Sequence, residues 1–172
     1  MSIRFASKED CAAIAEIYNH AVLHTAAIWK DQTVEAENRI SWYESRQLMG
    51  YPVLVNEENG VVTGYASFGD WRNFDGFRHT VEHSVYVHPE HQGKGLGRAL
   101  LSRLIDEARA CGKHVMVAGI ESQNQASLHL HSLLGFKTTA QMPQVGTKFG
   151  RWLDLTFMQL QLDDRREPDD LR

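Results

Sequence analysis

Long apolar runs are missing from this chain of 172 residues. No stretch approaches the ~20 consecutive apolar residues that a membrane-spanning helix requires. The first ten residues carry no apolar core of the kind a secretory leader needs and turn charged by Lys8. No membrane association is expected. Cysteine is equally scarce: Cys11 and Cys111 stand far apart and form no CxxC or Cys/His spacing. That excludes a disulfide scaffold and fits a reducing, cytoplasmic setting. Excess charge of one sign is lacking too, since 18 Lys and Arg against 22 Asp and Glu leave a net charge of −4. Such a balance supplies no general attraction to nucleic acid or anionic lipid. With only 4 prolines, 13 glycines and 42% hydrophobic residues, the chain is neither fibrous nor disordered. Its length implies one domain with its own core. There are 9 histidines, but no H-E-x-x-H motif and no Cys/His cluster. His129 and His131, two apart on a helix, face different ways, so no metal is expected.

What the chain does have is an alternation of strand and helix patterns. Ile3 to Phe5 reads as a short strand. Ser7, with Asp10 three residues on, begins a helix that Ile14, Ile17, Tyr18 and Ala21 carry to about His20. Thr33 reads as the cap of a second helix ending near Leu48. Pro52–Asn56 and Val61–Phe68 are strands joined by an Asn59-Gly60 turn, a strong hairpin signal. Asp70 to His79 has no period and reads as a loop. Thr80–Val87 alternates clearly, with Val81, His83, Val85 and Val87 on one face and Glu82, Ser84 and Tyr86 on the other. Leu100, Leu101, Leu104, Ile105 and Ala108 trace a helix stopped by Gly112. Val115–Ile120 is a buried strand, and Asn124 caps a helix ending at Gly135. Phe136–Met142 and Leu153–Leu162 close the series, the last with a change of phase that a β-bulge explains. Residues 1–162 therefore form one α/β domain, and 163–172 a charged, solvated and disordered tail.

The most informative stretch runs from Val85 to Leu101. A strand enters a loop with alternate glycines, Gly93, Gly95 and Gly97, and the loop opens an amphipathic helix. Glycines let successive backbone N–H groups converge on an anion without interference from a β-carbon. The helix N-terminus adds unpaired N–H groups and a favourable dipole. Lys94 and Arg98 add charge. The pattern is neither a P-loop, which ends in Gly-Lys-Ser/Thr, nor the G-x-G-x-x-G dinucleotide fingerprint. It is a pyrophosphate cradle, or else a glycine-rich turn that binds nothing.

Gln92-x-x-Gly95-x-Gly97 after Ser84-Val85-Tyr86-Val87 resembles the acetyl-CoA motif of the GNAT superfamily of N-acetyltransferases. Thr80 to Val87, Leu130 to Phe136 and Gly146 to Asp154 resemble, more narrowly, its phosphinothricin and methionine sulfoximine acetyltransferase branch. The likeness spans nearly the whole chain except the charged tail. It implies a mixed, mostly antiparallel sheet, flanked by helices and splayed where two strands part to admit acetyl-CoA. It implies further that backbone groups of Val85, Tyr86 and Val87 bond the pantetheine arm. Gly93, Lys94, Gly95, Leu96, Gly97 and Arg98 would hold the pyrophosphate, and Asn124 would contact the chain near the thioester. A simple helix cap suits Asn124 equally well. A homodimer is the family's expectation.

Transfer to an amine requires a neutral amine, yet an α-amino group with a pKa of roughly 8 is mostly ammonium at neutral pH. A carboxylate beside the thioester removes that proton. The resemblance gives Glu82 this role; a solvated or salt-bridged glutamate is the other reading. His131 stands where many relatives carry a tyrosine thought to protonate the leaving thiolate. An imidazole suits proton transfer near neutral pH, or it is simply packed. The segment before the Glu82 strand supplies acceptor candidates. Phe74, Asp75, Gly76 and Phe77 would wall a small side chain, and Arg72 or Arg78 would pair with a carboxylate. Trp29, Thr147 and Lys148 are further pocket candidates. The implied activity is direct transfer of acetyl from acetyl-CoA to the α-amine of a small amino acid or analogue. The alternatives are acetylation of a protein N-terminus or lysine, and a CoA-binding sensor without catalysis.

Overall fold

Asn59 and Gly60, at φ 53° and 80°, occupy the two left-handed positions that a two-residue hairpin demands. They join β2 (Val53–Glu58) to β3 (Val61–Asp70). β1 (Ser2–Phe5) adds to the free edge of β2, and β4 (Thr80–Val87) to that of β3, all antiparallel. Beyond β4 come β5 (Val115–Glu121), β7 (Arg151–Gln161) and, at the edge, β6 (Lys137–Lys148). β4 and β5 are the one parallel pair, and they stay together for only three residue pairs, from Thr80 with Val115 to Glu82 with Val117. After that they diverge. The expected mixed, splayed sheet is the observed one. The computed structural model describes residues 2–168; the last four positions of the expected tail lie outside them.

The sheet is covered on both faces. Ile14, Ile17, Tyr18 and Val22 of α1 (Cys11–His24) pack on Val53, Val55 and Tyr65, with Trp42 and Tyr43 of α2 (Ala36–Leu48) alongside. On the opposite face Leu100, Leu101, Leu104 and Ile105 of α3 (Leu96–Ala110) pack on Leu54, Ala66, Phe68 and Val81. α4 (Gln125–Leu133) lies beyond α3 on that face, through Leu128. Burying each such side chain contributes about 1.5–3 kcal/mol. The alternation of β4 therefore sends Val81, His83, Val85 and Val87 toward α3 and α4. Glu82, Ser84 and Tyr86 face α1.

Three local expectations change in detail. Ser7 donates its N–H to the Asp10 carboxylate at 2.7 Å, as a capping arrangement requires, and Arg4 clamps the same carboxylate at 2.7 and 2.9 Å. A 3-10 turn at Lys8–Asp10 precedes α1, which runs on to His24. α2 starts at Ala36 rather than after Thr33. Asn19 holds the backbone of Val34 through both its N–H and its carbonyl, at 2.9 and 2.8 Å, which keeps that residue out of the helix. The bulge expected in the last strand belongs to its partner: Thr139 of β6 is the extra residue, between Thr138–Met158 and Ala140–Phe157. The phase change in β7 arises because both its faces are covered, Met158 and Leu160 toward α3, Leu155 and Phe157 toward the α1 side. Past Leu162, Asp163 pairs with His114 at 2.6 Å and Arg165 donates to the Gly112 carbonyl at 2.7 Å. The first charged residues after the domain are thus held against it. No helix among the described residues is long and apolar enough to cross a membrane.

Candidate active site

Where β4 and β5 part, a cleft of about 390 Å³ opens through the sheet. Residues 83–87 form one wall, Ala118 to Glu121 the other, and α4 contributes Asn124, Ser127, Leu130 and His131. The β5-facing edge of β4 has no strand partner beyond Glu82. Its N–H and C=O groups are presented to an extended, amide-bearing ligand as a sheet edge presents them to a strand.

At its outer end the cleft is floored by Gly93, Gly95, Leu96 and Gly97. Gly93 and Gly95 are left-handed, at φ 75° and 79°, and a β-carbon at either would meet no protein atom within 4 Å. It would instead project into open space at the mouth of α3. The first helical bond of α3 runs from Ala99 N–H to Gly95 C=O at 3.1 Å, so the preceding amides have no helical acceptor. These features fit a pyrophosphate. Val85, Tyr86, Val87 and Asn124 line the cleft as expected, whereas Lys94 and Arg98 are exposed and outside its lining. The Asn124 side chain accepts from Ser127 N–H at 3.1 Å, so it caps α4 while facing the cleft.

Glu82 lies beside the cleft rather than in its lining, with its carboxylate against Gly119, which does line it. A β-carbon added at Gly119 would stand 3.1 Å from Glu82 Oε1, 3.5 Å from Phe157 and 3.7 Å from Leu155. Burial pushes the Glu82 carboxyl above its usual pKa of 4.5, and the Arg72 charge opposes the rise. Burial sets this carboxyl apart from a solvated surface carboxylate.

His131 is brought to the cleft, but on the sheet face opposite Glu82. Its Nδ1–H donates to the Ser127 carbonyl at 2.7 Å, and its Nε2 lies 2.9 Å from His83 Nε2. A carbonyl only accepts, so Nδ1 carries the His131 proton and Nε2 receives one from His83. Burial lowers the pKa of His131. It lowers that of His83 to about 3, with the neighbouring His131 adding to the effect. Both rings are neutral at pH 7. The expected proton donor therefore has its one N–H already committed to the backbone.

The acceptor candidates divide. Trp71 stands edge-on to Phe157 at 5.2 Å, and Arg72 lies 3.9 Å over the Trp71 ring, on the Glu82 side. Phe74 and Phe77 are exposed and pair with each other, and Asp75, Gly76 and Phe77 form a 3-10 turn. None of these lines the cleft, nor does Arg78, which folds back onto the Asp75 carbonyl at 2.9 Å. Phe74 to Phe77 turn outward because the loop closes on itself before it reaches the strand, while Arg78 is part-buried.

Lys148 is buried rather than available to a ligand. Its ammonium donates to the carbonyls of Val22, Thr25 and Ile28 at 2.5 to 2.8 Å, tying the end of α1 and its following loop to β6. Trp29 of that loop packs on the bare backbone of Gly146, where a β-carbon would stand 2.2 Å away. Ala26 and Ala27, from the same loop, wall a second cavity on the α1 face. Lys148→Met keeps the apolar stem and removes three charged bonds. It is expected to cost on the order of 3 kcal/mol of stability, seen as a lower Tm. The acceptor KM should rise severalfold while the acetyl-CoA KM barely moves.

Sequence reasoning missed Gly119, Phe157 and Glu121. The signal was available for β5, since a period of two places Gly119 and Glu121 together on the face opposite Ala118 and Ile120. Among the described residues, no three His, Cys, Asp or Glu side chains are grouped to hold a metal ion.

Residues 13–136 match the Acetyltransferase (GNAT) family. The Escherichia coli K12 protein named L-amino acid N-acyltransferase MnaT is 87% identical over 169 residues, covering 98% of each chain. A Salmonella typhimurium L-methionine sulfoximine/L-methionine sulfone acetyltransferase is 82% identical over 169 residues, 98% of this chain and 99% of its own. Among solved structures, a Salmonella typhimurium acetyltransferase with its cofactor acetyl-CoA superposes at a TM-score of 0.97. It is 80% identical and covers 99% of this chain and 98% of its own.

Proposed function

The chain belongs to the Acetyltransferase (GNAT) family, and on that footing we propose that it moves acetyl from acetyl-CoA to the α-amine of a small L-amino acid or analogue. Methionine sulfoximine and methionine sulfone are the acceptors that its relatives' names support. The observation that carries the reading is the cleft itself. It runs from a glycine cradle, along an unpaired strand edge, to Gly119, beside which the half-buried Glu82 carboxylate lies.

Acetyl-CoA supplies the activated acetyl group as a thioester. Gly93 to Gly97 would hold its pyrophosphate and the open edge of β4 its pantetheine arm. Glu82 takes the proton that makes the incoming ammonium a nucleophile, and its raised pKa makes it a better acceptor than an exposed carboxylate. Arg72, steadied on Trp71, pairs with the acceptor's carboxylate. His131, neutral and tied to Ser127 and His83, positions α4 against β4. Transfer is direct, since neither Cys11 nor Cys111 lines the cleft. Residues 1–162 act as one catalytic domain. A cytoplasmic homodimer without nucleic-acid or membrane partners accords with the net charge of −4 and the two free cysteines. Exposed Met142, Val145, Phe149 and Trp152 around the β6 edge favour the dimer.

Thiol release from acetyl-CoA, measured with a panel of amino acids and their amides, tests the reading. Release with free methionine sulfone is expected, and none with any amine would sink it. Arg72→Ala should raise the KM for the free acid about tenfold or more and abolish its preference over the amide. Arg78→Ala should retain that preference. If both variants retain it, the carboxylate is read elsewhere.

A further inference from the structure

We propose that Glu121 is a second acceptor-site carboxylate, which draws the substrate in as its ammonium form before Glu82 removes the proton; this rests on the reading above. Two cavities meet at the end of β5. One is the cofactor cleft; the other, about 490 Å³, lies on the α1 face. The second cavity offers the acceptor an approach to the cofactor cleft from the α1 face. Among the described residues lining both, Glu121 is the only carboxylate. It is 8% exposed, and among the described residues it has no ion pair. Its one side-chain bond among the described residues is long: Oε2 accepts from Gln123 N–H at 3.2 Å.

Strand geometry puts the two carboxylates in sequence. Glu121 stands on the same face of β5 as Gly119, beside which Glu82 lies, and the backbones of Gly119 and Glu121 are about 7 Å apart along the strand. An ammonium held at Glu121 is therefore within a short shift of Glu82. Other titratable or charged groups bear on this space. Tyr86 of β4 lines both cavities, His20 of α1 lines the second, His83, His91 and His131 line the cofactor cleft, and Glu82 of β4 lies behind Gly119. Arg151 of β7 lines the second cavity and donates to Gln123 Oε1 at 3.2 Å, not to Glu121. A buried carboxylate with so little compensation costs stability unless something cationic joins it. The alternative role is local: through Gln123 it braces the turn before α4, near that helix's positive end.

The test is calorimetric binding of L-methionine sulfone to CoA-saturated protein, a measurement that needs no turnover. Glu121→Gln keeps the shape and an accepting oxygen but loses the charge. Its Kd at pH 7 should rise about tenfold or more, the usual weight of a charged hydrogen bond. Glu121→Asp should restore most of the affinity, and the Gln penalty should shrink toward nothing above the pKa of the amine. Unchanged affinity in Glu121→Gln would overturn the assignment. So would a penalty constant with pH and accompanied by a lower Tm, which is the turn-bracing result, and so would no binding by the unaltered protein. Failure of the acetyltransferase reading appears separately, as no thiol release by the unaltered protein.

Discussion

Glu82→Gln is expected to lower kcat by about 10²–10⁴-fold, the usual worth of a positioned proton acceptor, with acetyl-CoA affinity almost unchanged. The amide has the same shape and still fits over Gly119, but it cannot take a proton. Raising the pH should recover part of the lost rate, because more of the acceptor is then already neutral. The unaltered protein should lose kcat on its acid side at a higher pH than an ordinary carboxylate would give, since burial raises the Glu82 pKa. The stability consequence has the opposite sign to the activity. A carboxyl whose pKa is higher folded than unfolded binds more protons in the native state. It disfavours folding once the pH rises above the unfolded value, and fully so above the folded one. At neutral pH the Gln variant should therefore melt at the same temperature or higher. A structural Glu82 would give a lower Tm and no recovery with pH. Near-normal kcat from pH 6 to 9 would rule out the base assignment.

How much of this could be read from the chain depends on where the determining contact lies. The β2–β3 hairpin was legible because Asn59-Gly60 is a local signal with a single physical meaning. The alternation of β4 and the glycine cradle were legible for the same reason. The hairpin joining β6 to β7 was not: Phe149 takes the left-handed position at φ 53° with Gly150 at 70°, and aromatic residues give no warning of that. The expected strand stopped at Met142, yet β6 runs through Pro143 to Lys148, because an edge strand tolerates a residue that cannot donate. The start of α2 was hidden because Asn19, fifteen residues upstream, decides the conformation of Val34.

The candidate site shows the same division. Glu82 was placed by the two-residue period and the resemblance together. Lys148 was read as a pocket cation because nothing local reveals that three carbonyls of a distant loop surround it. His131 carried a proton-donor expectation that depends on a free N–H. The partners that consume its N–H and cover its Nε2 are Ser127, one turn away, and His83, on another strand. Spacing along α4 exposes the first partner and conceals the second.

Gly95→Val tests the cradle directly, and its effect should fall on binding rather than on folding. At φ 79° the left-handed backbone costs a β-branched residue about 1–2 kcal/mol, which alone would lower Tm by several degrees. The β-carbon would meet no protein atom within 4 Å, so a further loss of affinity points to what otherwise fills that space. A pyrophosphate receiving the α3 amides there should lose affinity on the order of 100-fold, as removal of about two charge-assisted bonds implies. Gly112→Val supplies the control. Gly112 has φ 70° and equally open surroundings, but it lies at the far end of α3. It should show the same drop in Tm with unaltered acetyl-CoA affinity. Titration calorimetry on both variants separates strain from occlusion: equal affinities in the two would mean that phosphates do not approach the Gly93–Gly97 loop. A loss confined to Gly95→Val would place them at the N-terminus of α3, where the open amides and the helix dipole act on the same charge.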